Sequence, residues 1–227
     1  MKIKSQSDKT CILYFTTGNR EVKSFSSKKK KSDAVQRLLF TKTLAEIKKS
    51  KLDYRVSDGS QYSNDLLSGL TGAVKDVFAT GFENVIIVGD DTPDLSFLQF
   101  RKAASNLYHQ KISIGPAKDG GAYLIAFNRF GFEEGILKNL TWHSTQFKEE
   151  LLQNINSLKL SYEELAELED LDSAVDLHIF LKKNSYSTFF KILKNLIYSI
   201  QSGFRDVLPY SSEYYIYTFT RGPPILF

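Results

Sequence analysis

Three acidic stretches hold the residues whose types and spacing could do chemistry. Residues 88–95 read V-G-D-D-T-P-D-L, with Asp90, Asp91 and Asp94 grouped around Pro93 directly after the apolar run 84–88. A carboxylate at the carboxyl end of a buried strand can hold Mg²⁺ or Mn²⁺, which binds through one or two carboxylates plus substrate phosphates. The same letters suit a strand-end turn, with Pro93 fixing φ and Asp94 or Ser96 capping the next helix. Residues 115–127, G-P-A-K-D-G-G-A-Y-L-I-A-F, bring Asp119, Gly120 and Gly121 to the start of another apolar run. Two glycines there suit either a hairpin-like turn or a place where a ligand presses against backbone. Residues 169–177, E-D-L-D-S-A-V-D-L, set acids before Ser173, which by type is a helix N-cap with the acids favourable to the dipole.

The elements that must position these residues alternate between two periods. Short apolar runs at 11–15, 52–56, 84–88, 111–114 and 122–127 predict strands, and the β-branched run 84–88 reads as a central one. Between them, three- and four-residue apolar steps predict helices from Ser32 or Asp33 onward, over 64–79 with Gly81 behind it, and from Ser96. Further helices are expected over 145–158, 174–183 and 187–202. This alternation predicts a three-layer α/β/α fold with a mostly parallel sheet, followed by a C-terminal helix and an aromatic tail. A first domain is expected over 1–183. Residues 184–227 would form a helix and tail that pack on it or on a second copy of the chain.

Taken together the motifs resemble a bacterial glycosyltransferase-like family. G-D-D-T-P-D-L, G-P-A-K-D-G-G-A-Y-L-I-A-F, W-H-S-T and D-L-D-S-A-V-D-L follow one another in that family's order, over roughly residues 11–183. The family belongs with the nucleotide-diphospho-sugar transferases of glycosyltransferase-A type fold, whose relatives include phospholactate guanylyltransferase and the molybdenum-cofactor nucleotidyltransferases. The resemblance implies that Asp91 is a metal-binding acid and that Asp172 completes the metal site from the other side. It implies Mg²⁺ or Mn²⁺ as cofactor, Asp119 as a catalytic residue, and Gly120 and Gly121 on the sugar or acceptor side. Asp90 stands at a small-residue position of the family. In place of the family's phosphate loop ending in K-T-R-L, this chain has T-T-G-N-R-E-V-K-S-F-S-S-K-K-K-K. Gly18, Arg20 and Lys23 stand where phosphate-binding residues belong, while Ser24-Phe25-Ser26 replaces T-R-L. The implied function is metal-dependent glycosyl transfer from a nucleotide sugar. The alternatives are nucleotidyl transfer from a nucleoside triphosphate and a non-catalytic descendant that binds a partner.

Composition narrows the classes further. The chain has 227 residues, 42% of them hydrophobic, and a net charge of +4 from 30 Lys+Arg against 26 Asp+Glu. Part of that excess is the single run Lys28–Lys31, expected as a solvated loop, so no nucleic-acid partner is indicated. The one cysteine, Cys11, lies in an apolar run and reads as a small buried hydrophobe. No stretch approaches the ~20 apolar residues of a membrane span, so no stable membrane insertion is expected and the chain reads as cytoplasmic. His143 follows Trp142, and His109 and His178 fall on predicted helices without acidic or Cys partners at ligand spacing. The tail carries Tyr214, Tyr215, Tyr217 and Phe219, and is expected to be covered by the domain or by a homodimer partner.

Overall fold

A computed structural model describes residues 9–16, 23–142, 144–183 and 187–198. Gly18 and Arg20 of the expected phosphate loop, His143 and the aromatic tail lie outside the described residues.

Six strands make one sheet: β1 (Thr10–Phe15), β2 (Asp53–Ser57), β3 (Asn84–Val88), β4 (Ile112–Pro116), β5 (Ala122–Asn128) and β6 (Tyr162–Glu164), in the order β2-β1-β3-β5-β4-β6. β5 runs antiparallel to both its neighbours and the other pairings are parallel, so five strands point one way. The sheet is therefore mostly parallel, as the alternation predicts. All residues of β1 and β3 are buried, which is why both read as unbroken apolar runs.

Alternate side chains of each strand enter opposite layers. Leu13, Phe15, Val85, Ile87, Ile125 and Phe127 face one side. There they meet α2 (Leu66–Ala79) and α5 (Phe147–Ser157). Ile12, Tyr14, Ile86, Val88, Leu124 and Ala126 face the other, against α1 (Lys29–Ser50) and α3 (Phe97–Tyr108). A third apolar cluster lies outside this sandwich. Phe25, Val35 and Leu39 meet Leu171 with Leu177, Phe180 and Leu181 of α6 (Ala174–Lys182) and Phe190 and Leu193 of α7 (Thr188–Tyr198). A short α4 (Arg129–Glu134) follows β5. Among the described residues no helix is long and apolar enough to cross a membrane.

Two expectations change. The Lys28–Lys31 run is not a loop: Lys28 is the N-cap of α1 and the next three lysines form its first turn. Ser32 does not cap that helix either. It is buried within it, and its hydroxyl accepts the Phe25 and Ser26 backbone N–H groups at 3.1 Å each. The helix starts early because its first turn is tied to the preceding segment by that serine rather than by a cap. β6 is an addition, an edge strand of only three residues whose polar letters carry no strand signal.

The topology sets where a site can form. From β1 the chain steps to β2 on one side and returns to β3 on the other, so the strand order reverses between β1 and β3. Ligands of open α/β sheets bind outside the carboxyl ends at such a reversal. Because β5 is antiparallel, its start lies at the same edge as the end of β4, with Pro116 opposite Ala122. The carboxyl ends of β1 and β3 and the turn between β4 and β5 thus share one edge.

Candidate active site

Asp91 follows β3 at the strand-order reversal, in a turn closed by the Leu95 N–H on the Thr92 carbonyl at 3.2 Å. Thr92 and Leu95 are buried and anchor this turn, so Asp91 is delivered by a fixed backbone. Asp172 comes from far along the chain. Residues 165–171 run across the ends of β4 and β3: Leu165 N–H donates to Ile114, Leu168 to Pro116, and Leu171 to the Asp91 carbonyl at 2.9 Å. Ser173 then caps α6 in a capping box with Asp176. The Asp176 carboxylate accepts the backbone N–H of Ser173 at 2.9 Å and of Asp172 at 3.3 Å. The segment that aims Asp172 is therefore tied to Asp91 by a main-chain hydrogen bond and to its own helix by a reciprocal cap.

Asp91 and Asp172 meet at one point, and a lysine occupies it. The Lys23 ammonium lies 2.7 Å from Asp91 Oδ2 and 2.6 Å from Asp172 Oδ1. The Lys23 side chain is 13% exposed, Asp91 27% and Asp172 51%, so the group is buried on the lysine side and open to solvent on the Asp172 side. Burial works against the lysine's charge, but Asp91 and then Asp172 outweigh it and hold its pKa above the ordinary lysine value. Lys23 reaches this place because Ser24 bridges to Ser173 and Phe25 is buried against Leu171 and Leu177.

A fourth acid stands behind the pair. Asp170 accepts a hydrogen bond from the Thr92 hydroxyl at 2.5 Å. Burial first, then the charge of Asp91, pushes its pKa up to about 8; Asp119 and Asp172 act in the same direction. Sequence reasoning passed over Asp170, since D-L-D before a capping serine shows only acids at a helix start. The signal was there in Thr92, a buried hydroxyl next to Asp91 that needs an acceptor.

Asp119 lies exposed in the β4–β5 turn, and its carboxylate accepts the Gly121 N–H at 2.8 Å. The neighbouring Lys118 N–H donates to the Leu168 carbonyl at 3.1 Å, which ties this turn to the segment that leads to Asp170 and Asp172. Gly120 adopts φ +94° and lies against the Thr145 backbone of the W-H-S-T stretch. The structure thus brings together Lys23, Asp91 and Asp172, while Asp119, Gly120 and Gly121 stand in the β4–β5 turn. His109 and His178 are elsewhere, His109 beside the Tyr108 ring and His178 Nδ1 3.2 Å from the Tyr198 hydroxyl. An open cleft of about 490 Å³, lined by Leu67, Thr71, Lys75 and Leu137 among others, contains none of the clustered acids.

The donor set suits a hard divalent cation. Two carboxylates from different loops converge on one position beside an open face, which leaves room for the phosphate oxygens that complete such a shell. Among the described residues no group of three or more His, Cys, Asp or Glu side chains could hold a metal by itself.

A family model described as an uncharacterised protein conserved in bacteria, DUF2064, matches residues 25–144. No curated protein matches the chain in sequence. Among solved structures, a candidate nucleotide-diphospho-sugar transferase from Desulfovibrio desulfuricans G20 superposes with a TM-score of 0.72 at 22% identity, covering 83% of this chain and 95% of that one. The 4-diphosphocytidyl-2C-methyl-D-erythritol synthase of Anaerococcus prevotii DSM 20548 superposes with a TM-score of 0.50 at 11% identity, covering 78% of this chain and 100% of that one. Matched over more than half its length, the chain belongs to this bacterial DUF2064 family, and its fold is that of the nucleotide-diphospho-sugar transferases.

Proposed function

We propose that the chain is a divalent-metal-dependent transferase that moves a glycosyl group from a nucleotide sugar to an acceptor hydroxyl. The observation that carries this reading is the convergence of Asp91 and Asp172 on one cation position at the strand-order reversal. In such a transfer the bond from the sugar's anomeric carbon to the diphosphate breaks and a bond to the acceptor oxygen forms. The leaving group is an anionic nucleoside diphosphate, so the reaction needs countercharge and positioning more than covalent chemistry.

Asp91 and Asp172 would hold Mg²⁺ or Mn²⁺, which neutralises the diphosphate as it leaves. Lys23 adds a second cation at the same edge, and by sequence motif Gly18 and Arg20 would be phosphate contacts. Asp119, exposed in the β4–β5 turn, would accept the acceptor's proton. Gly121, beside it, would leave the sugar side open. Asp170, its pKa raised to about 8 by burial, would stay mostly protonated behind the pair at neutral pH.

The test is thermal stability with and without Mn²⁺ across nucleotide sugars, nucleoside diphosphates and nucleoside triphosphates. A ligand at a hundred times its dissociation constant adds about 2.7 kcal/mol, a shift of about 5–10 °C for a chain of this size. A metal-dependent shift with one nucleotide sugar, lost in Asp91→Asn, is expected. A shift with a triphosphate alone would replace glycosyl with nucleotidyl transfer. No shift with any of them would leave a fold that binds a partner instead.

A further inference from the structure

We propose that Lys23 is the built-in cation of the Asp91–Asp172 pair, and that a divalent metal binds there only by displacing it. This rests on the metal site proposed above and adds its regulation. The Lys23 ammonium is bonded to one oxygen of each carboxylate, at 2.7 and 2.6 Å. A metal drawing on both carboxylates would stand about 2.0–2.2 Å from its oxygen ligands. The same two oxygens cannot serve an ammonium and a metal from one position, and the two cations repel at that range.

The site also cannot remain without a cation at low cost. Asp91 and Asp172 share the one ammonium, so removing it with nothing in its place leaves two carboxylates facing each other. Lysine out therefore requires metal in.

The surrounding structure allows that exchange without unfolding. The backbone at 23–26 is fixed by three independent ties: the Ser24–Ser173 bridge, the burial of Phe25, and the Ser32 hydroxyl accepting the Phe25 and Ser26 N–H groups. Only the four-carbon side chain of Lys23 has to turn, and lysine is the cation best suited to that because its ammonium makes no fixed fork. A displaced ammonium beside an open edge is stabilised by an anion arriving with the metal. Metal alone then binds weakly, and metal accompanied by a diphosphate binds well. Such coupling is reciprocal, so the metal strengthens diphosphate binding by the same factor.

The experiment is a titration of the full chain with Mn²⁺ alone, followed by the loss of the free-ion paramagnetic signal. Wild type, Lys23→Met, Lys23→Arg and Asp91→Asn are compared. Lys23→Met is expected to bind Mn²⁺ at least tenfold more tightly than wild type, Lys23→Arg to stay within a few-fold of wild type, and Asp91→Asn to lose the site. If wild type binds Mn²⁺ at a site lost in Asp91→Asn and Lys23→Met binds no tighter, the competition is overturned while the metal site stands. If no variant binds Mn²⁺, the metal site and the competition fall together. Should Lys23→Met not fold, the wild-type chain with ¹³C-labelled lysine side chains decides. Saturating Mg²⁺ should move the Lys23 Cε resonance, identified by its absence in Lys23→Arg, to the exposed-lysine position. A resonance that stays in place while Mg²⁺ is bound overturns the proposal.

Discussion

A Cβ on Gly120 would stand 2.1 Å from the Thr145 carbonyl oxygen, and Gly120 itself lies at φ +94°. Real Cβ atoms do not approach a backbone oxygen so closely, and the left-handed conformation alone costs a non-glycine residue about 1–2 kcal/mol. The Gly120 carbonyl in turn accepts the Lys148 N–H at 3.1 Å, so neither partner can retreat cheaply. Gly120→Ala should therefore lose more than about 2 kcal/mol in urea unfolding.

Gly121 behaves differently. The nearest atoms a Cβ there would meet belong to the exposed Asp119 carboxylate, Oδ1 at 3.1 Å, which can give by a few tenths of an ångström while keeping its bond to the Gly121 N–H. Gly121→Ala should fold with a loss under about 1 kcal/mol. It should nevertheless weaken the stability shift given by nucleotide sugar and Mn²⁺. A Gly121→Ala protein with an undiminished ligand shift would remove this glycine from the sugar side.

The pair of glycines shows what could be read in the sequence and what could not. The strands β1 and β3, the helix α2 and the Ser173 cap were legible, because each is set by local periodicity or a cap within a few residues. The G-P-A-K-D-G-G turn was legible as a turn, but its partner, Thr145, is 25 positions further on and no local pattern points to it. The same holds for the candidate site. Asp91 and Asp172 were identifiable by motif, whereas the ammonium between them comes from a segment whose letters depart from the family's. Lys23 read as a phosphate contact because sequence reports residue type, while its place is decided by Phe25 burying against Leu171 and Leu177. The early start of α1 was hidden for a related reason: lysines are poor helix starters beside the positive end of the dipole, and distant ties offset that, from Ser32 to the Phe25 N–H and from Lys31 to the Ile197 carbonyl.

Lys42 gives a pH signature apart from the candidate site. Its ammonium donates to the Leu95 carbonyl, and burial lowers its pKa from 10.5 to about 8, against the opposing charges of Glu46 and Asp94. Between pH 8 and 10.5 the unfolded chain holds a proton that the folded one has released, so folding stability rises with pH across that window. The rise should approach about 1.4 kcal/mol per pH unit relative to Lys42→Met, which has no proton to release. Urea unfolding of both proteins at pH 7.5, 9 and 10 measures this. Parallel stabilities at all three values would mean that Lys42 titrates as an ordinary surface lysine.

Ser173 joins stability to the candidate site. Its hydroxyl accepts the Asp176 N–H at 3.3 Å and donates to the Asp176 carboxylate at 2.7 Å, which also receives the Asp172 N–H. Ser173→Ala should cost about 1 kcal/mol, the usual value of a lost N-cap. Because the cap also fixes the backbone that aims Asp172, Mn²⁺ affinity should fall as well. Ser173→Asp, which keeps a capping oxygen, should restore most of the stability.

The ion pairs of Lys23 can be separated by a double-mutant cycle. A fully buried pair broken on one side costs about 3–5 kcal/mol, and an exposed pair about 0.2–1. Lys23 is largely buried but Asp172 is half exposed, so solvent screens the acids that remain when the lysine is lost. Lys23→Met should accordingly cost about 2 kcal/mol, and Asp172→Asn under about 1, since Asp91 still holds the lysine from the other side. Combining the two changes removes both an ammonium and one of the acids it neutralised. The double variant should therefore be more stable than the sum of the single losses, by about 1 kcal/mol. Urea unfolding of the four proteins at low salt measures the coupling, and raising the salt should shrink it. Losses that add within about 0.3 kcal/mol would mean that Lys23 and Asp172 do not share the contact from which the candidate site is built.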